Sequence, residues 1–199
     1  MRLRLPAAIR TIDDALDLYR RPDEEVLSEL IGPAGFVDRT VAQFCAEARP
    51  ARGVTLEQLV AWYRPRMVDQ SVRPVQGGVA WFGECSFRPG QRPMIAVNHR
   101  LIGEIARRVA QLAAPPDAVW FEPEMLTRLV VAHELHHIHH AHQDWASPLS
   151  GWHTELAAHV FARSLTGWRY SPLIFHSLLK FVAGQDGREE KMLEALPWN

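Results

Sequence analysis

The sequence predicts an α+β fold, mostly helical, with one small antiparallel sheet. Three observations predict it. Apolar residues recur at helical spacing through the first third and the second half of the chain. Strand-forming residues concentrate in one stretch, 79–98. The 199 residues, 47% of them apolar, can bury a substantial core that needs no disulfide or metal merely to fold.

The elements follow in order. Over 11–21, Ile12, Ala15, Leu16 and Tyr19 share a helical face, and Thr11 is placed to cap it. Pro22 starts a second helix with Asp23, Glu24 and Glu25 in its first turn, and Gly32-Pro33 stops it. A third spans 36–48, with Val37, Val41, Phe44, Cys45 and Ala48 inward. A fourth spans 55–67, where Thr55 followed by Glu57-Gln58 is close to a capping box. Residues 79–87 and 93–98 predict a hairpin across the turn signal Pro89-Gly90-Gln91. Helix returns over 101–112, and 113–117 read as loop. Residues 123–142 form the clearest helix of the chain. A loop with Pro148 and Gly151 follows, then a helix over 153–166 ended by Gly167, and two more over 172–183 and 187–196. The one subdivision on offer is a helical region, 1–70, ahead of an α+β part, 71–199.

Composition narrows the function. A net charge of -1 argues against a protein that grips nucleic acid through its phosphates, so no direct nucleic-acid binding is expected. No run approaches the ~20 apolar residues of a membrane span. Arg and Pro interrupt any signal-peptide core in the first ten residues. Cys45 and Cys85, far apart in sequence, read as free thiols. Together these predict a cytoplasmic protein with no membrane partner.

The chemistry concentrates in His133-Glu134-Leu135-His136-His137, which matches His-Glu-x-x-His. Residues four apart on a helix are neighbours, with Cβ atoms ~5–6 Å apart. His133 and His137 can therefore converge on one ion at ~2.0–2.1 Å each. Glu134 is rotated ~100° from His133. It cannot comfortably share the metal, but it can reach a water beside it as general base. The apolar residues Leu126, Leu129 and Val130 lead into the two His, which continues the inward face. Buried imidazoles and a carboxylate there would cost free energy without a partner, and a metal supplies one.

The next helix offers a third ligand. Glu155, Ala158, His159 and Ala162 share a face. The two Ala would let this helix approach closely, and Glu155 would project as a carboxylate ligand. Two His and one Glu leave the fourth position open, as a catalytic zinc site requires. His159, one turn on, is placed to assist the reaction. Asp144 and His153 stay open as alternative third ligands. His136, His139, His140 and His142 read as a solvated helix face, and Asn98-His99 as a strand-end turn.

His133-Glu-Leu-His-His137, a seventeen-residue spacer, and then Glu155-x-x-Ala158-x-x-Phe161-Ala162 resemble the ImmA/IrrE family of gluzincin-type metallopeptidases. The resemblance covers roughly residues 75–170. Met94-Ile-Ala-Val-Asn98 is similar to that family's edge strand. His136 stands where the family usually has a small residue. The resemblance implies a zincin-like core in which a small sheet packs beside the His-Glu-x-x-His helix. It implies zinc on His133, His137 and Glu155, with Glu134 as catalytic base. It also implies a cytoplasmic protein substrate, typically a DNA-binding repressor. An extended substrate would pair with the edge strand. The oxyanion would be stabilised by His159, His153, Tyr170 or His176, ranked in that order. The alternatives are a partner-binding regulator that keeps zinc without catalysis, and a zinc hydrolase acting on a small molecule.

Overall fold

A computed structural model describes residues 9–32, 35–36, 39–70, 82–88, 90–142, 151–175 and 177–178. The chain is α+β and mostly helical, as expected. Four short helices come first: α1 (Ile12–Tyr19), α2 (Asp23–Leu30), α3 (Val41–Ala48) and α4 (Leu56–Tyr63). Three start at threonine capping boxes. Thr11, Thr40 and Thr55 each accept from the amide three residues on, and Asp14, Gln43 and Gln58 reach back to the cap amide. These reciprocal bonds satisfy donors that a two-turn helix would otherwise leave open.

The fourth helix ends earlier than the expected 67. Arg64 turns to the left-handed region (φ 46°), Pro65 blocks continuation, and β1 (Arg66–Asp69) begins. Strands β2 (Gly83–Ser86) and β3 (Met94–Val97) form the expected antiparallel pair, Gly83 opposite Val97 and Ser86 opposite Met94. The sheet as a whole is mixed, however, because β1 pairs in parallel with β3 from Arg66–Met94 to Asp69–Val97. The order is β1-β3-β2, so the strand ending in Asn98 is central rather than an edge. Asn98 caps α5 (His99–Leu112), accepting from the Leu101 amide at 3.0 Å.

The segment expected as loop, 113–117, holds most of the one-turn α6 (Pro115–Ala118), and a 3-10 turn (Val119–Phe121) follows it. Then come α7 (Pro123–His142) and α8 (Gly151–Thr166). Gly167, with φ 66°, ends α8 in the conformation that Gly adopts without a Cβ penalty. Residues 174–175 and 177–178 are helical, in line with the start of the helix expected over 172–183. Its remainder, the helix expected over 187–196 and the 143–150 loop lie outside the described residues.

α7 is the spine. It packs along α8 and against α5, β2 and β3, while α3 rests on α8 and α4 on α7. Ala158 and Ala162 are fully buried at the α7–α8 contact, so two small side chains let the axes close up as expected. One hydrophobic cluster runs from Leu16, Leu27 and Phe44 through Ile95 and Ile105 to Leu129, Leu135 and Phe161. Arg163 fastens the far end of α8. Its guanidinium donates to buried Asp23 at 2.9 Å and to the carbonyls of Arg20, Arg21 and Arg169. A buried carboxylate paired and bonded in this way avoids the cost of an isolated charge. Cys45 and Cys85 are free thiols. No helix among the described residues is long and apolar enough to cross a membrane.

Candidate metal centre

The unbroken helix of α7 puts His133 above His137, with ring centroids 4.9 Å apart and ring planes at 66°. Their Nε2 atoms face each other at 3.2 Å. Glu155 reaches across from the first turns of α8, with Oε2 3.2 Å from His133 Nε2 and Oε1 3.5 Å from His137 Nε2. Four ligands held tetrahedrally at ~2.0–2.1 Å from zinc stand roughly 3.3–3.4 Å from one another. The two imidazole nitrogens stand at about that separation, each has a different Glu155 oxygen within 3.2–3.5 Å, and one ligand atom from each of the three residues lies within 4.8 Å of the others. These residues are also the one group of three or more His, Cys, Asp or Glu among the described residues that could hold a metal ion. The donor set fits zinc: two imidazoles and a carboxylate, with the fourth corner left free.

The three side chains are also coupled electrostatically. Burial pushes the Glu155 carboxyl up, but hydrogen bonds from His133 and His137 overcome this and hold it well below the usual carboxylate range. Burial pushes His133 down, and the bond to Glu155 with the charge of Glu134 nearby more than reverses this. Both imidazoles are about 16–17% exposed and Glu155 is 37% exposed, so the group opens to solvent on the α8 side.

Glu134 is buried, at 7% exposure, and seated against β2. Gly83 makes the seat. A Cβ there would stand 2.5 Å from Val130 Cγ1 and 3.1 Å from Glu134 Oε1, so only a bare backbone lets strand and helix come this close. Cys85, two residues on and on the same face, hydrogen-bonds Glu134; burial and then that carboxylate push its thiol up. Glu134 is thus held beside the metal group by the strand and not by the ligands themselves. Sequence reasoning missed Gly83 and Cys85. The signal was a Gly interrupting a run of strand formers, which marks a close backbone approach.

His159 lies where the helix spacing put it, one turn after Glu155, with its ring 4.7 Å from that of His133. The other expected helpers fare differently. His153 is turned away: its Nε2 bonds the Gly35 carbonyl at 3.3 Å, and its ring packs among Phe36, Phe44 and Trp152. That contact also removes it as a third or fourth ligand. Tyr170 is fully buried, donates to Asp117 and packs on Phe121, so its hydroxyl serves the core and not the site. His176 and Asp144 lie outside the described residues.

The remaining histidines are not one solvated face. His136 is buried against the edge of Phe161, 5.2 Å between centroids, and His142 is exposed. His139 Nδ1 lies 2.6 Å from the Tyr63 hydroxyl. No family model matches the chain, and no curated protein or solved structure matches it.

Proposed function

We propose that the chain is a zinc-dependent endopeptidase, related in kind to the ImmA/IrrE metallopeptidases that its motifs resemble. The observation that carries this reading is the convergence of His133, His137 and Glu155, with one ligand atom of each within 4.8 Å of the others and Glu134 seated beside them against a different element. A site that only stabilises the fold closes its fourth position and needs no base. This group has three donors, faces solvent and keeps a buried carboxylate within one residue of a ligand.

When bound, zinc supplies a Lewis acid that polarises the scissile carbonyl and brings the pKa of water toward ~7. The chain does the rest. Glu134 takes the proton of the attacking water and returns it to the leaving amine. The Gly83 backbone and the Cys85 thiol fix the direction in which its carboxylate points. His159 stands over His133 and stabilises the developing oxyanion. Because the Asn98-ending strand is central, strand addition falls to β2, the outer strand of the described sheet that packs on α7. The proposed substrate is an extended segment of a cytoplasmic protein, with a DNA-binding repressor as the first candidate.

The test compares zinc-loaded wild type with Glu134→Gln on a proteome-derived peptide library, reading new amino termini by mass spectrometry. The reading expects chelator-sensitive cleavage by wild type and none by the variant at equal zinc content. Equal cleavage by both, or none by either, would overturn it.

A further inference from the structure

A second site lies past the C-terminal turn of α7. There α4, the corner into β1 and residues 91–93 border an open depression of about 800 Å³ that shares no residue with the His133–His137–Glu155 group. Three rings form a ladder along one wall. Trp62 lies parallel to Tyr63 (centroids 5.8 Å apart, interplanar angle 4°), and Tyr63 lies over His142 (5.4 Å, 24°). The Tyr63 hydroxyl is fixed to His139, which holds the middle ring in place. Trp62 caps the ladder at 74% exposure, which leaves much of its ring open to solvent.

The lining also carries two cationic side chains, Arg64 and Arg92, and among the described lining residues none is Asp or Glu. Arg92 is clamped in place, donating to the carbonyls of Arg64 and Pro65. Arg64 is the more telling. It is the one residue other than Gly with positive φ (46°) among the described residues, a conformation that Gly would adopt without penalty. Retaining a long cationic side chain at a position that favours Gly points to use of the guanidinium. Non-Gly residues held in this region concentrate at ligand clamps.

We propose that this depression binds a small anion carrying a flat ring, the ring stacking on Trp62 and the anionic group meeting Arg64 and Arg92. Flat rings stack on aromatic platforms, and guanidinium forks match phosphate and carboxylate. A nucleoside monophosphate and an aromatic carboxylic acid both present this chemistry.

Isothermal titration of the full chain with adenosine monophosphate and with indole-3-acetate distinguishes these two sources, with adenosine and indole as neutral controls. Saturable binding of at least one anion is expected, about tenfold weaker for its neutral counterpart. Trp62→Ala and Arg64→Gly should each weaken binding about tenfold. Arg64→Gly should do so with undiminished thermal stability, because it relieves the backbone while removing the guanidinium. Binding of only one anion names the source. No saturable binding of either anion at about 10 mM, or unchanged affinity in both variants, would overturn the proposal.

Discussion

α7 carries two histidine pairs at the same spacing, and they do different things. His133 and His137 bring their Nε2 atoms to 3.2 Å around a carboxylate. His136 and His140 sit on the neighbouring face with rings 5.9 Å apart and tilted by 30°, and His136 faces Phe161. Burial, followed by the charges of neighbouring histidines, pushes His136 down to about 2, while His133 is raised. His136 Nδ1 is buried with no hydrogen-bond partner among the described residues. The helix makes both pairs alike. What separates them is the residue that α8 presents: Glu155 to one, Phe161 to the other. Of the two pairs, only the one met by a third donor among the described residues could hold a metal ion.

The sharpest test of that contrast is on the chemistry. Glu134→Gln should lower turnover by about 10²–10⁴-fold or more with zinc retained, read from parallel rate and metal assays. Glu155→Ala removes the donor that distinguishes the two faces. It should weaken zinc by more than the roughly 10–100-fold that losing an outer partner costs, read by competition with a chelating dye. Gly83→Ala presses a methyl onto Val130 and Glu134. It should cost about 1–3 kcal/mol in denaturant unfolding, and lower kcat more than it changes zinc affinity. The mildest change is His136→Phe. It exchanges a poorly satisfied imidazole for a ring beside Phe161 and should leave zinc in place. Its stability should stay within about 1–2 kcal/mol of wild type, in either direction, in the same unfolding assay.

Much of this contrast was legible in the sequence because it is local. The bounds of α7 coincide with the apolar periodicity of 123–142, and the faces of α8 followed from Glu155, Ala158, His159 and Ala162. The triad needed only two helix registers and one close contact. What could not be read was set by distant partners. Strand β1 is four mostly exposed residues with no alternation, and it exists because β3 offers it a parallel edge. Its presence turned the expected antiparallel sheet into a mixed one and made the Asn98 strand central. Asp23 read as an ordinary first-turn acid, yet it is buried because Arg163 meets it from 140 residues away. His136 read as solvated because nothing near it in sequence announces Phe161. His153 and Tyr170, reasonable helpers by type, are occupied by Gly35 and Asp117, which the sequence does not pair with them.

The most direct measurement is zinc content per chain, by elemental analysis of untagged protein, for wild type, His133→Phe and His136→Phe. The two variants make the same replacement on the two faces of one helix. The account predicts about one zinc in wild type and in His136→Phe, and none retained by His133→Phe. Zinc absent from reconstituted wild type, or lost equally from both variants, would contradict it.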